Sequence, residues 1–587
     1  MTVPWETRLR ARQRLSREQG AIIKDWGGRI PTALLYPNSY FAGMSSLGVQ
    51  TIYSLLNAEE DVVCERVFVD AARQLKTTGL VSIESQRELW EFALVALSLT
   101  FELDYWNALA ALDAAGIPLY SSERDERHPL VIAGGPAVTA NPETMAPFVD
   151  AFAIGEAEHS LPKMMKVLRE NLEGGRDQVL ARMAEIHGVY VPGLYSVQYR
   201  QDGRVASIRP TSPVAKYPVE RQWAPDLDAF ETCSSVLTEE TEFGEMYLVE
   251  VARGCSRHCR FCLAGYCYLP KRERSISKVL AIAEGGLQFR RRIGLVGAAV
   301  SDYSGIDEVA GRLIELGAAV SVSSLRVDSL SPTLLRALVE SGTKTLTLAP
   351  EVGSDRLSRV IGKGIAPDQV VAAAADAARL GVKRFKLYYM VGLPTETEQD
   401  VHELVRLTLQ VQRVVEAHQP GGHLTVNVAP FVPKAHTPFE RLPMCGQKEL
   451  KERLAIVERG LRRHRVEVKG EAPAWSAIQG VLARGDRRLA EVLKAMAVQP
   501  TLASWRRAMD EAGLDDAFYL ERVRPSDETL AWTTVSTGVV DRYLHSMAEQ
   551  ALRGVAGTGC GSQPCHKCGV CSPGESSRTD VAQGTAV

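Results

Sequence analysis

Short apolar runs alternate with amphipathic stretches along most of the chain, a pattern typical of strands alternating with helices. In the first third, the apolar runs are followed by stretches of helical periodicity. Because these runs are apolar at nearly every position, both faces of the sheet are expected to be covered, as in a parallel sheet. The pattern predicts a Rossmann-like parallel-sheet domain over residues 31–187, after a short helix and lead-in at 1–30. The strand candidates are ALLYP (33–37), LVALSLTF (94–101), PLVIAGG (129–135) and AFAIGE (151–156).

A second series of strands and helices begins near Gly244. Six successive βα units predict a partial (β/α)6 barrel over 244–440, with its site at the carboxyl ends of the strands. Residues 188–243 are predicted to form a connector, 441–555 a helical extension, and 556–587 a Cys-rich tail with a disordered end. The predicted fold class is therefore α/β. The six strand candidates of the barrel fall at 247–252, 293–299, 320–324, 345–349, 384–390 and 424–429.

The composition is that of a soluble globular protein, with 45% hydrophobic and 24% charged residues in 587. No apolar run approaches the roughly 18 residues of a membrane span, and the start of the chain lacks the apolar core of a signal peptide. With a formal net charge of −3, nothing global indicates a nucleic-acid or membrane partner. A basic cluster at 484–488 is either a solvated face or a contact for an anionic substrate. We expect a cytoplasmic protein.

Three cysteines, Cys255, Cys259 and Cys262, stand at C-x3-C-x2-C spacing directly after the first strand of the predicted barrel. Three thiolates this close on one loop can bind three irons of a [4Fe–4S] cube and leave the fourth iron open for a small molecule. The alternative is zinc, but the neighbouring His258 and Cys267 do not complete the paired spacing that zinc sites usually show.

Four more cysteines stand close together near the end of the chain, at C-x4-C-x2-C-x2-C spacing. Seven of the eleven cysteines thus lie in two tight groups, which favours metal sites over disulfides. Four thiols form a closed ligand set, so the tail is predicted to hold structural zinc or an auxiliary iron–sulfur cluster. These residues are Cys560, Cys565, Cys568 and Cys571.

The stretch Arg253-Gly254-Cys255 followed by Cys259-Arg260-Phe261-Cys262 resembles the C-x3-C-x-aromatic-C signature of the radical S-adenosylmethionine (SAM) superfamily. The resemblance implies a [4Fe–4S] cluster whose open iron binds SAM. It also implies cleavage of SAM to a 5′-deoxyadenosyl radical, with an external electron donor such as flavodoxin or ferredoxin. Phe261 would then lie beside the third cluster ligand.

The same resemblance implies further SAM-binding residues at the ends of the barrel strands. Gly297 would meet the SAM amino group, although the acidic residue usual in that turn is replaced here unless Asp302 serves. Glu351 would accept hydrogen bonds from the SAM ammonium or ribose, its alternative being a solvated loop acid. Arg326 or Lys386 would pair with the SAM carboxylate, unless each forms a structural ion pair.

Residues 130–158 resemble the cobalamin-binding-like domain that precedes many radical SAM domains. The resemblance implies a corrinoid near Gly134, Gly135 and Gly155, although the His of the D-x-H-x-x-G motif is missing at 36–43. The alternative is a domain that only scaffolds or holds substrate. The expected activity is corrinoid-dependent methyl transfer to an unactivated carbon. The alternatives are methylthiotransferase-like modification of RNA or protein, and a non-catalytic iron–sulfur or SAM-binding sensor or scaffold.

Overall fold

A computed structural model describes residues 3–70, 72, 75–171, 174–323, 325–560, 565 and 567–571. The predicted disordered end, 572–587, lies outside them. The amino-terminal unit is a six-stranded sheet of order β2-β1-β3-β4-β5-β6, parallel except for the last strand. Its strands are β1 Ile30–Tyr36, β2 Val62–Phe68, β3 Leu94–Ser98, β4 Leu130–Gly134, β5 Ala151–Ala153 and β6 Val189–Tyr190. Its helices are α1 Trp5–Leu15, α2 Tyr40–Met44, α3 Leu47–Ala58, α4 Leu75–Thr78, α5 Tyr105–Ala114, α6 Pro136–Ala140, α7 Leu161–Glu170 and α8 Arg176–Ala184.

All four strands predicted for this unit are present, and the structure adds β2 and β6. Strand β2 is not predicted because Glu65 and Arg66 interrupt its apolar run. The Arg66 side chain is nevertheless fully buried, since its guanidinium pairs with Glu18 at 2.6 Å and with Glu84 at 2.7 Å. A paired charge can occupy a core position that an unpaired charge cannot.

The connector between the two α/β units is a surface hairpin followed by a short strand. That last strand pairs in parallel with a strand from the end of the chain, so the carboxyl-terminal region returns to the connector. The hairpin strands are β7 Tyr195–Tyr199 and β8 Val205–Pro210, and the short strand is β9 Val219–Glu220.

The second unit has seven parallel strands in two sheets, joined by a bridge between Leu325 and Leu348. Six match the predicted strands, and the seventh, β18, lies in the stretch predicted to be helical. The strands are β10 Met246–Glu250, β13 Arg292–Val296, β14 Ala319–Val322, β15 Thr345–Glu351, β16 Arg384–Val391, β17 His423–Pro430 and β18 Val466–Gly470; β11 Ala252–Arg253 and β12 Arg272–Glu273 form a short antiparallel pair beside them, and β19 Val535–Ser536 pairs with β9.

The helices of the second unit follow its strands. Ser331 caps one of them, its hydroxyl accepting from Leu334 N at 3.0 Å. They are α9 Ile276–Leu287, α10 Ile306–Glu315, α11 Pro332–Glu340, α12 Asp355–Val360, α13 Pro367–Arg379, α14 Glu398–His418 and α15 Gln447–Leu461. The extension contains α16 Pro473–Ala483, α17 Ala490–Val498, α18 Leu502–Glu511, α19 Asp516–Leu520 and α20 Asp541–Leu552. Among the helices described, none has both the length and the apolar character to cross a bilayer.

One apolar core runs from one face of the amino-terminal sheet through the barrel into the helical extension, and a second covers the other face of that sheet. Glu156, which follows β5, joins the two units by charge. Its carboxylate accepts both terminal nitrogens of Arg272, at 2.6 and 2.8 Å, and Arg253 Nη1 at 2.9 Å. Burial opposes ionisation, but these guanidiniums lower the pKa of Glu156 to about 2.

We predict that Glu156→Gln destabilises the protein by about 3–5 kcal/mol, since it leaves buried guanidinium charge without its carboxylate. The folded pKa of Glu156 lies below its ordinary value of 4.5, so its contribution is present above that pH and is lost as the pH falls towards 2. The measurement is the urea midpoint of wild type and variant from pH 7 to pH 3. The difference between them should shrink below about pH 4.5.

The matched control is Glu170→Gln, because the Glu170 side chain is 57% exposed. The free energy of unfolding of this control should stay within about 0.5 kcal/mol of the wild-type value. A Glu156 variant as stable as this control would contradict the proposed role of the carboxylate in joining the two units.

Candidate active site

The loop that carries the first three cysteines, residues 254–262, is named the cluster loop below. It starts directly after β11 with a sharp turn at Gly254, whose φ is +77°. A Cβ at this position would lie 2.2 Å from the Tyr268 carbonyl oxygen, so only glycine fits. The cause of the turn is the close approach of the backbone at Tyr268.

The thiols of Cys255, Cys259 and Cys262 lie close enough together to affect one another. Burial, followed by the charge of Cys259, raises the pKa of Cys262 to about 12, and the same two causes act on Cys255. The backbone amides of Arg257 and Ala264 oppose this by donating to the Cys255 and Cys262 sulfurs. A bound cation would lower the pKa of these thiols and so favour the thiolate form.

Within the described residues, no three or more His, Cys, Asp or Glu side chains are grouped as ligands of one metal ion. The thiolates of a cube bind separate irons, so their sulfurs lie farther apart than ligands of a single ion. Three mutually interacting thiols on one loop, two of them supported by backbone amides, fit a [4Fe–4S] cluster with one open iron.

Arg326 lies at the cluster loop, where its Nη1 is 3.7 Å from the Cys259 sulfur. Its Nε and Nη2 also donate to the two oxygens of Asp328, each at 3.0 Å. Asp302, the candidate acid of the turn after β13, accepts from Arg257 of the loop at 2.5 and 2.7 Å. Arg326 is thus both a neighbour of the cluster sulfur and a member of an ion pair.

The other predicted SAM residues are divided between the loop and the barrel. Phe261 packs on an apolar cluster that includes Val352 and Leu393. Gly297 follows β13, and a Cβ there would lie 3.2 Å from the Ala252 carbonyl. Lys386 on β16 forms no ion pair among the described residues, and its Nζ lies 5.2 Å from the ring centre of Tyr388.

Glu351 ends β15 at a φ of +69°, a conformation that side chains rarely adopt. Its carboxylate accepts from Lys363 Nζ at 2.8 Å, and only 6% of the Lys363 side chain is exposed. Its charge also contributes to raising the pKa of Cys262, so Glu351 faces the cluster loop. Sequence reasoning missed Lys363, because nothing in its local pattern distinguishes it from a surface lysine.

Glu351 also lines a cavity of about 410 Å³ at the carboxyl ends of β15 to β18. Opposite it are Tyr388, Asn427 and Lys469, none of which the sequence indicated. The Asn427 Oδ1 is buried and has no hydrogen-bond partner within the described part of the chain. A buried acceptor without a partner is unfavourable unless a ligand or water supplies a donor.

The three glycines assigned to a corrinoid line one cavity of about 350 Å³ between the two α/β units. Gly135 and Gly155 have φ of +116° and +97°, and Cβ atoms there would lie 2.5 and 2.1 Å from backbone oxygens of Leu99 and Gln222. Gly134 has no such restriction. The amino-terminal unit also contributes apolar residues: Leu34, Leu47, Ile52, Ala96, Leu97, Ile132 and Ala153. The barrel contributes Glu250, Arg253, Tyr268 and Val296.

The four tail cysteines lie beside the cluster loop rather than apart from it. Cys560 is exposed, Cys568 is buried, and Cys565 and Cys571 are half-buried. The charge of Cys255 contributes to raising the pKa of Cys560 to about 12, after burial and the other tail cysteines.

Two family models match the chain. One, described as the amino-terminal region of radical SAM proteins, matches residues 48–192, and one described as the radical SAM superfamily matches 249–408. An uncharacterised protein of Methanocaldococcus jannaschii is 31% identical over 466 residues, which are 78% of this chain and 90% of that protein. The chain belongs to the radical SAM superfamily and is a radical SAM enzyme, whose cofactors are a [4Fe–4S] cluster and SAM.

Proteins that are less similar to this chain have names that specify an activity. An uncharacterised methyltransferase of Pyrococcus horikoshii is 24% identical, covering 50% of this chain and 62% of that protein. A tRNA-2-methylthio-N(6)-dimethylallyladenosine synthase of Chromohalobacter salexigens is 25% identical, covering 42% and 55%. The radical SAM methyltransferase TsrM of Kitasatospora setae, solved with cobalamin and a [4Fe–4S] cluster, has a TM-score of 0.46 at 11% identity, covering 68% and 72%.

We predict that Cys259→Ala removes the first cluster, because two thiolates do not hold a cube firmly. After anaerobic reconstitution, iron and acid-labile sulfide should fall by about four per chain relative to wild type. Cys64→Ala is the control, since Cys64 lies in the amino-terminal sheet and should leave both counts unchanged. An intact cluster in the Cys259 variant would disprove the assignment.

Proposed function

We propose that the protein is a corrinoid-dependent radical SAM methyltransferase that transfers a methyl group to an unactivated carbon. The observation that carries the proposal is the 350 Å³ cavity lined by Gly134, Gly135 and Gly155, which lies between the amino-terminal sheet and the barrel. Ligands of parallel α/β sheets bind at the carboxyl ends of the strands, which is where this cavity lies. Electrons for the cluster come from an external donor such as flavodoxin or ferredoxin.

On this proposal the [4Fe–4S] cluster is held by Cys255, Cys259 and Cys262, and it supplies the electron that cleaves SAM. Arg326 donates towards the Cys259 sulfur and so stabilises the negative charge of the cluster. Phe261 packs beside the third ligand and helps exclude water from it.

SAM is proposed to occupy the 410 Å³ cavity of the barrel, beside Glu351. Its methionine part carries an ammonium and a carboxylate, and the ion pair of Glu351 with Lys363 presents the complementary charges. When SAM binds, Glu351 would pair with the SAM ammonium and Lys363 with the SAM carboxylate. Neither buried side chain would then be left without an opposite charge, so binding avoids a large desolvation cost. Gly297 and Lys386, which do not line this cavity, are further candidate contacts for the amino group and the carboxylate.

The corrinoid is proposed to insert its aromatic dimethylbenzimidazole base into the 350 Å³ cavity, whose size is at the lower end of small-molecule sites. The glycines allow the sheet backbone to approach it closely. The stretch that corresponds to the D-x-H-x-x-G motif, residues 36–43, contains no histidine. No imidazole from this segment can therefore bind cobalt. The corrinoid supplies a methyl carrier between SAM and the substrate carbon.

A second candidate is methylthiotransferase-like modification of RNA or protein. It is favoured by the similarity to the tRNA methylthio synthases, which covers 42% of this chain in one case. It is also favoured by a second thiol group beside the cluster loop, because such chemistry requires a sulfur donor. The two candidates differ in cobalt, which only the methyltransferase requires.

We predict that the full-length protein binds hydroxocobalamin with a dissociation constant below about 10 μM, equivalent to −7 kcal/mol. The measurement is equilibrium dialysis followed by visible spectroscopy. Under reducing conditions with SAM and substrate, both 5′-deoxyadenosine and S-adenosylhomocysteine should form, one SAM providing the radical and another the methyl group. Without corrinoid binding the methyltransferase proposal fails. Deoxyadenosine formed without cobalt would favour the methylthiotransferase, and no deoxyadenosine would favour a sensor.

The location of the site is tested with Gly134→Leu. A Cβ at Gly134 meets nothing closer than 3.6 Å, so the backbone accepts a side chain while the leucine fills the cavity. Hydroxocobalamin affinity should fall at least tenfold, or about 1.4 kcal/mol. Gly285→Leu adds the same side chain on exposed α9, where a Cβ meets nothing within 4 Å, and should leave the affinity unchanged. Equal affinities would place the corrinoid elsewhere.

A further inference from the structure

The described residues 555–560 pack against the cluster loop. Cys560 N donates to the Ser256 carbonyl oxygen at 2.7 Å. A Cβ on the preceding Gly559 would lie 2.6 Å from the same oxygen, so glycine is required for this approach. Arg260 of the loop donates to the Val555 carbonyl at 3.0 Å, which fixes the segment just before. The two thiol groups are thus joined by backbone contacts as well as by proximity.

His258 makes the direct side-chain contact between the loop and the tail. Its Nε2 lies 3.0 Å from the Cys560 sulfur, and its Nδ1 lies 2.8 Å from the Tyr543 hydroxyl. Tyr266 donates to the His258 carbonyl at 3.0 Å, and His258 is 3% exposed at a φ of +54°. An imidazole held at both nitrogens, on a backbone in a rarely adopted conformation, is positioned rather than free.

We propose that the tail thiols, Cys560, Cys565, Cys568 and Cys571, bind a second iron–sulfur cluster, docked on the cluster loop through His258. No three of these described side chains are grouped as ligands of a single metal ion, as tetrahedral zinc would require. The thiolates are its ligands, and His258 is a positioning residue that donates Nε2–H to the Cys560 sulfur. A metal-bound thiolate has no proton to give, so the neutral imidazole must donate from Nε2, and Tyr543 then donates its hydroxyl proton to Nδ1. The metal-binding step does not depend on cleavage of SAM or on corrinoid.

Burial supports a site that holds its metal. Cys568 is 2% exposed and packs with Tyr266, Leu269, Val539, Leu544 and Val570. The backbone is tied to the helical extension, because Val540 N donates to the Cys568 carbonyl at 2.9 Å. An apolar surround limits access of solvent and of competing ligands to the metal.

The test counts metals in the full-length chain, using three proteins. In one variant the tail thiols are all changed to serine, and in another Cys255, Cys259 and Cys262 are changed to serine. After anaerobic reconstitution with iron and sulfide, the loop variant should retain about four irons with sulfide. The tail variant should lose that metal and keep the cube of the loop.

A loop variant without bound metal, or a tail variant with the metal content of wild type, would overturn the proposal. Circular dichroism confirms that each variant is folded, and loss of the tail metal with the loop cube intact separates this result from failure of the proposed function. The rate at which a chelator removes the tail metal tests His258. It should rise at least tenfold in His258→Phe, less in Tyr543→Phe, and return towards wild type in His258→Gln. An unchanged rate in His258→Phe would exclude the docking role.

Discussion

Two arginines that face each other across a strand pair set the relation between the two α/β units. Arg253 on β11 is the register partner of Arg272 on β12, and like charges directly opposite each other repel. Glu156 from the amino-terminal sheet removes this repulsion by accepting from both. Arg253 stands two residues before Cys255, so the carboxylate of one domain fixes the approach to the cluster loop of the other. Glu156 and Arg253 of this group also line the cavity between the units.

The position of Glu156 follows from topology. Strand β5 ends just before it, and the carboxyl ends of β3, β4 and β5 therefore face the carboxyl end of β10. Because the carboxyl ends of the two sheets face each other, the ligand-binding ends of both sheets border the same cavity. A corrinoid between the units and SAM in the barrel would therefore approach the same cluster loop from two sides, and a methyl carrier requires such an arrangement.

Much of the fold could be predicted because its signals are local. The C-x3-C-x2-C spacing and the apolar strand runs each depend on adjacent residues, and the structure contains both. What could not be predicted depends on partners far away in sequence. Strand β2 needs Glu18 and Glu84 to bury Arg66. Strand β18 is missed because its run VEVKG carries two charges in five residues. The roles of Lys363 and His258 depend on contacts with Glu351 and Cys560, which only the folded chain brings close to them.

Arg260 connects the cluster chemistry with the packing of the tail. Its side chain is fully buried, and its Nη1 donates to three carbonyl oxygens, of Arg359, Val360 and Val555. Its Nε and Nη2 have no hydrogen-bond partner within the described residues, and it forms no ion pair there. Burial alone would make such a guanidinium costly, and it lowers the pKa of Arg260. Arg260 follows Cys259 directly and lies in the electrostatic range of Tyr543, which contacts His258. Its positive charge is therefore fixed at the junction of the cluster loop, α12 and the segment that leads into the tail, with no carboxylate partner among the described residues.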